Sequence, residues 1–347
     1  MIGPTKRRGA GNAQHVDTAI CADADRGLWR RSDRPDRRST AVLRPRSRPI
    51  DQRLHGDDPV GPRDAARSSQ RLLYGRKGQL DRAIEDFDQA IRLNPNFAEA
   101  FSNRGNAYRR KGQLDRAIED LDQAIRLNPN YAQAFYNRGT AYDRKGQFDR
   151  AIEDFDQAIR LNPNNAAVFL DRGNEYRAQG DFDRAIADYS EGIRLDPRLT
   201  FVLLNRGVAY YYVGSLPKAL ADLNQASELN PKGAYTALWL DIVNKRSNLA
   251  SGLQQAVAQI DMTTWPAPVI RLFLGQMTPA AVLAAADDPD PDTKKSHVCD
   301  AHFYSGELAL RRDAKAEALQ LFKAAAESCP RTFIGDVAVA ELKRLAQ

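Results

Sequence analysis

Amide side chains recur along this chain at a fixed step. Asn103, Asn137 and Asn205 stand in a series spaced 34 residues apart, with Asp171 in the third place, and Asn106, Thr140, Asn174 and Val208 follow three residues behind each. An amide carries N–H donors and a carbonyl acceptor, so a regular row of amides can pair with the backbone of an extended chain of almost any sequence. That chemistry is recognition rather than bond making. Nothing points to catalysis: His15 and His55 lie far from His297 and His302, and no phosphate loop, nucleophile motif or paired-carboxylate spacing stands above background. An enzyme is not expected, and neither is a cofactor.

The elements that would carry the amides are set by an internal repeat. The segment Arg110 to Asn130, RKGQLDRAIEDLDQAIRLNPN, occurs three times: Arg76 to Asn96 differs by Phe87 for Leu121, and Arg144 to Asn164 by Phe148 for Leu114 and Phe155 for Leu121. Counted from Ala98, full units begin at Ala98, Ala132, Ala166 and Thr200. Phe101, Gly105 and Tyr108 fall at i, i+4 and i+7, one stripe of a helix, with glycine where a second helix approaches closely. Ala117, Ile118, Leu121, Ala124 and Ile125 form the facing stripe. Lys111-Gly112-Gln113 interrupts the pattern, and Asn128-Pro129 ends it because the residue before proline disfavours the α region. Each unit is therefore a helical hairpin, which buries its apolar face only by stacking on its neighbours. Asp115, Glu119, Asp122 and Arg126 are expected on the outer face, with Asp122 and Arg126 paired at i, i+4.

The recurrence of Phe101, Phe135 and Phe169, of Gly105, Gly139, Gly173 and Gly207, of Tyr108, Tyr142, Tyr176 and Tyr210, of Ala117, Ala151, Ala185 and Ala219, and of Pro129, Pro163, Pro197 and Pro231 resembles the tetratricopeptide repeat (TPR) family. The resemblance implies an all-α fold, a right-handed α-solenoid, whose first helices line a concave groove for extended peptides. Carried onto this chain, it implies a groove of Asn103, Asn106, Arg109, Tyr136, Asn137, Arg144, Asn174, Arg177, Asn205 and Tyr211, with a protein or peptide partner. Arg109, Arg110, Arg144 and Arg177 would make one end cationic, and Leu170, Phe201, Leu204, Val208, Tyr211 and Tyr212 the other end apolar. A partner with an acidic segment followed by apolar anchors fits that arrangement. Two rival readings stay open: the asparagines bond only between neighbouring helices, or the next helices cover the apolar end.

The net charge of +6 invites a nucleic-acid reading, but its location argues otherwise. Residues 1–70 carry 15 Lys+Arg and 9 Asp+Glu, leaving 36 of each in the remainder, so the repeats are neutral and no nucleic acid is expected for them. Residues 1–73 are poor in Leu, Ile, Val and Phe and read as disordered. Repeat resemblance begins abruptly at Tyr74, which suggests a misread frame replacing a true leader; the alternative is a genuine arginine-rich arm for nucleic acid or another acidic partner. No apolar run is long enough to span a membrane.

The expected organisation is an incomplete first repeat over 74–97, four complete repeats over 98–233, divergent helices and an acidic, proline-broken loop over 234–297, a repeat-like hairpin over 298–330 and a capping helix over 331–347. Helices are expected over Ala234 to Lys245, Leu249 to Ile260, Val269 to Leu274, Ala280 to Ala286 and Thr332 to Ala346. Aligning Cys299 with the first position of a repeat puts Gly306, Ala318, Phe322 and Pro330 in register. Cys299 and Cys329 then lie at the same end of one hairpin, within reach of a disulfide, although two free thiols remain the alternative. Irregular spacing of His297, Cys299, His302 and Cys329 argues against a metal. Leu238-Trp239-Leu240, Trp265, Phe273-Leu274-Gly275 and Phe303-Tyr304 resemble the NlpI-type envelope TPR lipoproteins of bacteria. That likeness implies a periplasmic or secreted adaptor if a signal peptide precedes the repeats, and a cytoplasmic one as the chain is written.

Overall fold

The computed structural model describes residues 77–346, and the readings made above for residues 1–73 lie outside them. The repeats form α1 (Lys77–Leu93), α2 (Ala98–Arg110), α3 (Leu114–Leu127), α4 (Ala132–Arg144), α5 (Phe148–Leu161), α6 (Ala166–Gln179), α7 (Phe182–Leu195), α8 (Thr200–Tyr212) and α9 (Leu216–Leu229). Then follow α10 (Ala234–Arg246), α11 (Leu253–Ala256), α12 (Ala267–Phe273), α13 (Pro279–Ala285), α14 (Pro291–Arg311), α15 (Lys315–Ser328) and α16 (Phe333–Ala346).

The two helices of a hairpin touch where glycine removes a side chain. A Cβ built on Gly139 would lie 2.7 Å from Phe155 Cε1, and one on Gly306 would lie 2.8 Å from Phe322 Cε1, so α14 and α15 pack as the repeat pairs do. Between the helices Gly112 adopts φ +75, which lets the Gln113 N–H reach back to Tyr108 O at 2.9 Å and close the helix end. Between α14 and α15 the matching turn uses Asp313 at φ +58.

A ladder of arginines locks neighbouring hairpins together. Arg138 donates to both carboxylate oxygens of Asp154 in its own hairpin (2.8 and 2.7 Å) and to Asp122 of the preceding one (2.6 Å). Arg104 does the same with Asp120 and Asp88, and Arg172 with Asp188 and Asp156. Arg206 holds Asp222 and turns its third contact to Ser190 Oγ. The expected Asp122–Arg126 pair is therefore corrected: Asp122 turns to Arg138, and Arg126 bonds Gln123 instead. Arg138 is held in place by its two bonds to the buried Asp154 carboxylate, and its remaining Nη1 donor then meets Asp122 at no further ordering cost.

Beyond α9 the pattern loosens. Leu249 to Ile260 does not form the expected helix; only α11 is helical, and the bonds after it run from Ala258 to Gln255 and from Gln259 to Ala256, turns rather than an α ladder. Asn248 at φ +56 ends α10, and Ser251 Oγ turns to Asp241 and the Leu253 N–H. α14 also begins two turns before the expected start at Cys299. Asp290 caps it by accepting from the Thr293 N–H (2.8 Å), and Pro291 takes the first helical position, so the acidic stretch starts this helix.

The repeats hold small separate apolar clusters, whereas α8 to α16 share one large core around Trp239, Phe303, Tyr304 and Phe322. Asp300 is buried in it and accepts from Tyr235 OH and Trp265 Nε1, both at 2.7 Å; burial pushes its carboxyl up to about 6. No described helix is long and apolar enough to cross a membrane.

Candidate functional site

The sequence-expected groove residues sit on α2, α4, α6 and α8, the first helices of the hairpins. Asn103, Asn106 and Arg109 on α2, and Tyr136 and Arg144 on α4, are half-buried. Asn106 Oδ1 accepts from Arg109 Nη2 (2.8 Å), which holds amide and guanidinium side by side. Asn137 is buried, and its Oδ1 accepts from Gln133 (3.0 Å). Tyr136 OH donates to Asp171 Oδ2 at 2.9 Å, so the one carboxylate in the amide row ties α4 to α6. Arg144 Nη1 donates to Arg109 O at 3.2 Å, a step from α4 to α2.

Further along, the row turns inward. Asn174 Oδ1 accepts from Tyr189 OH (2.9 Å) and from Asn205 Nδ2 (3.3 Å), and Asn205 is buried. There the amides bond between neighbouring helices. Arg177 is also buried, its Nη1 donating to Asp336 Oδ2 (2.8 Å) and to Phe333 O (3.4 Å) of α16. Tyr211 is buried, its OH donating to Glu341 Oε1 of α16 (3.3 Å). The groove therefore divides in two. The stretch over α2 and α4 presents Asn103, Asn106, Arg109, Tyr136 and Arg144 together, while Arg177 and Tyr211 face the chain's own last helix.

The expected apolar end is covered as well. Leu204, Val208 and Tyr211 belong to the large C-terminal core, and Leu170 is buried beside Tyr189. An open apolar anchor site is thus replaced by packing, because α10, α14 and α16 need that surface to bury their own faces. Val337 is fully buried, and its carbonyl accepts from Tyr212 OH at 3.1 Å.

A charged cluster marks the boundary between the two stretches. Arg331 pairs with Glu175 and lies over the Phe148 ring, 3.2 Å from its centroid. Burial first, and the neighbouring Asp143 carboxylate second, push the Glu175 carboxyl up, while Arg331 opposes the shift. Sequence reasoning missed this cluster, since Arg331 lies 156 residues from Glu175 and belongs to no repeat position.

Cys299 and Cys329 are buried with Cα atoms 6.3 Å apart, Cys299 inside α14 rather than at its start and Cys329 at the end of α15. His297 instead stacks on Trp265 at 4.2 Å between centroids. Among the described residues no three His, Cys, Asp or Glu side chains gather as a metal ion would require.

Models of the TPR repeat match residues 73–112, 105–146 and 173–214, and models of the tetratricopeptide repeat match residues 132–165 and 155–187. Residues 73–214 are thus covered by tetratricopeptide-repeat models. A search of curated proteins finds no match. Among solved structures, the chain is similar to MamA at 27% identity and a TM-score of 0.43, covering 50% of this chain and 98% of that one. It is also similar to YrrB, reported as a TPR protein with an unusual peptide-binding site, at 24% identity and a TM-score of 0.42, covering 52% of this chain and 90% of that one. A tetratricopeptide repeat protein from Parabacteroides merdae is similar at 17% identity and a TM-score of 0.49, covering 82% of this chain and 98% of that one.

Proposed function

We propose that this protein is an interaction scaffold that takes an extended, acidic protein segment across α2 and α4. The observation that carries the reading is the partly accessible series of Asn103, Asn106, Arg109, Tyr136 and Arg144, set on repeated helices away from the stretch α16 occupies. Amides pair with a partner's backbone, and the guanidinium groups favour its carboxylates. Affinity capture from native extract tests this with the unaltered chain beside Asn106→Ala/Arg144→Glu. The partner retained should fall at least about tenfold, since the neutral amide contact is worth about 0.5 to 1.5 kcal/mol and the charge-assisted one about 1.5 to 3 kcal/mol. Nuclease treatment should leave the captured protein unchanged. Equal capture by both chains, with equal thermal stability, would place the partner elsewhere.

The Cys299–Cys329 pair belongs to the same reading: we propose that it is bonded and that the protein works in an oxidising compartment such as the bacterial envelope. A bond closing about 30 residues would add about 3 to 4 kcal/mol in the chain-entropy account. Alkylation of the isolated, denatured protein should label neither cysteine until reductant is added. Two thiols labelled without reductant would overturn it.

A further inference from the structure

Three carboxylates, Asp241, Glu307 and Glu341, are buried where α10, α14 and α16 come together. Two of them have cations at bonding distance. Asp241 Oδ2 lies 2.6 Å from Arg311 Nη2, and Ser251 Oγ donates to its other oxygen. Glu341 Oε2 accepts from Arg344 Nε at 2.9 Å, and its Oε1 accepts from Tyr211 OH at 3.3 Å. Glu307 is served differently. Its side chain is 3% exposed, Arg246 Nη2 stands 4.0 Å from its Oε2, too far for a hydrogen bond, and among the described residues no donor bonds its Oε1. Arg311 and Arg344 are already engaged with the other two carboxylates. A carboxylate taken out of water without a bonded partner is strongly disfavoured, and the group escapes that cost by keeping its proton. Burial first, and the Glu341 carboxylate second, push the Glu307 carboxyl up to about 8, against the pull of Arg246, Arg344 and Arg311. A cleft of about 270 Å³, bordered by Arg246, Arg311, Arg344 and the exposed Lys245, reaches Glu307 from the surface, so its proton can exchange with solvent while the carboxyl stays shielded.

We propose that Glu307 is a proton-operated clasp: held neutral, it lets α10, α14 and α16 pack together, and losing its proton as the pH rises loosens that junction. The folded chain keeps a proton that the unfolded chain releases in the ordinary glutamate range. Stability therefore falls as the pH climbs from that range towards about 8, and levels off above it. The same cluster holds Tyr211 through Glu341, so the pH sets how firmly the covered stretch over α8 is held. This goes beyond the interaction-scaffold reading and stands on different residues, so either can fail alone.

The test compares the full chain with Glu307→Gln, whose amide keeps the shape of the neutral carboxyl and cannot ionise. Urea unfolding is followed through the fluorescence of Trp239 and Trp265, both in the C-terminal core. The ratio of the two folding constants, variant over unaltered, should rise at least about tenfold between about pH 6 and about pH 9, because a proton bound only by the folded state is worth about tenfold per pH unit. Glu175, the other glutamate that burial raises, is present in both chains and cancels. A ratio that stays constant or falls would overturn the proposal, since Glu307 would then be ionised and held by its arginines. Carbon-13 NMR of the glutamate carboxyls, on the unaltered chain and on Glu175→Gln, decides the matter even if Glu307→Gln does not fold. In both chains a glutamate carboxyl should titrate above neutrality; if every glutamate of Glu175→Gln titrates in the ordinary range, there is no such clasp.

Discussion

Replacing Arg138 by methionine should lower stability by about 3 to 5 kcal/mol, because it strands a buried carboxylate. Asp154 has a side chain only 6% exposed, and both its oxygens are bonded to Arg138. Burial alone pushes its carboxyl up, and Arg138 is what pulls it back, so without the guanidinium the charged form loses its compensation. The Asp122 contact adds little, because that side chain is 35% exposed and water can take over. Adding Asp154→Leu should recover most of the loss, since an apolar group of similar size replaces an ion that no longer has a partner. Urea unfolding of the single and double variants measures this. A loss below about 1 kcal/mol for Arg138→Met would mean that the ladder follows the stacking without holding it.

Trp239→Ala should cost about as much, some 3 to 5 kcal/mol, but in a different place. The indole is fully buried, with Tyr211, Phe303 and Phe333 ring centroids at 5.8, 5.8 and 6.1 Å, so it joins α8, α14 and α16 in one contact. Truncation leaves a cavity that three helices would have to move to fill. Because a repeat array transmits stability mainly between neighbours, hydrogen exchange should rise in α10 to α16 and stay nearly unchanged in α2 to α5. Uniform acceleration along the chain would show instead that the whole array unfolds as one unit.

These two sites differ in how far the sequence discloses them. Trp239 and its aromatic neighbours can be recognised as a cluster, but which helices they join depends on how the chain returns after α13. The arginine ladder was fully present in the sequence, with Arg104, Arg138, Arg172 and Arg206 in the 34-residue series and Asp120, Asp154, Asp188 and Asp222 each 16 residues later. It was missed because a charge was paired within its own helix, at i, i+4, when the repeat period already implied partners on the facing helix. The hairpin register was legible for the opposite reason: glycine at Gly105, Gly139 and Gly173 has a clear steric purpose against Leu121, Phe155 and Tyr189.

Which helices carry the amide and arginine series was legible from the repeat, which sets Asn103 and Asn106 on α2 and Tyr136 and Arg144 on α4. Over α6 and α8 the outcome depends on a segment far along the chain, where Asp336 meets Arg177 159 residues away and Glu341 meets Tyr211 130 residues away. The local signal was the i, i+3, i+4, i+8 stripe of Phe333, Asp336, Val337 and Glu341, whose two buried carboxylates call for partners elsewhere in the chain. Leu249 to Ile260 misled in the other direction, since its apolar residues suggest a helix while Ser251-Gly252 and Asn248 interrupt the backbone.

Position-resolved photo-crosslinking tests the binding face most directly. A photoreactive residue is placed in turn at Asn106 and Arg144 on the first helices, and at Arg126 and Arg160 on the exposed sides of α3 and α5, and each chain is irradiated in native extract. One protein should be captured from Asn106 and from Arg144, and neither outer position should capture it. Capture of that protein from Arg126 or Arg160 at equal yield, or from those positions alone, would contradict a partner held across α2 and α4.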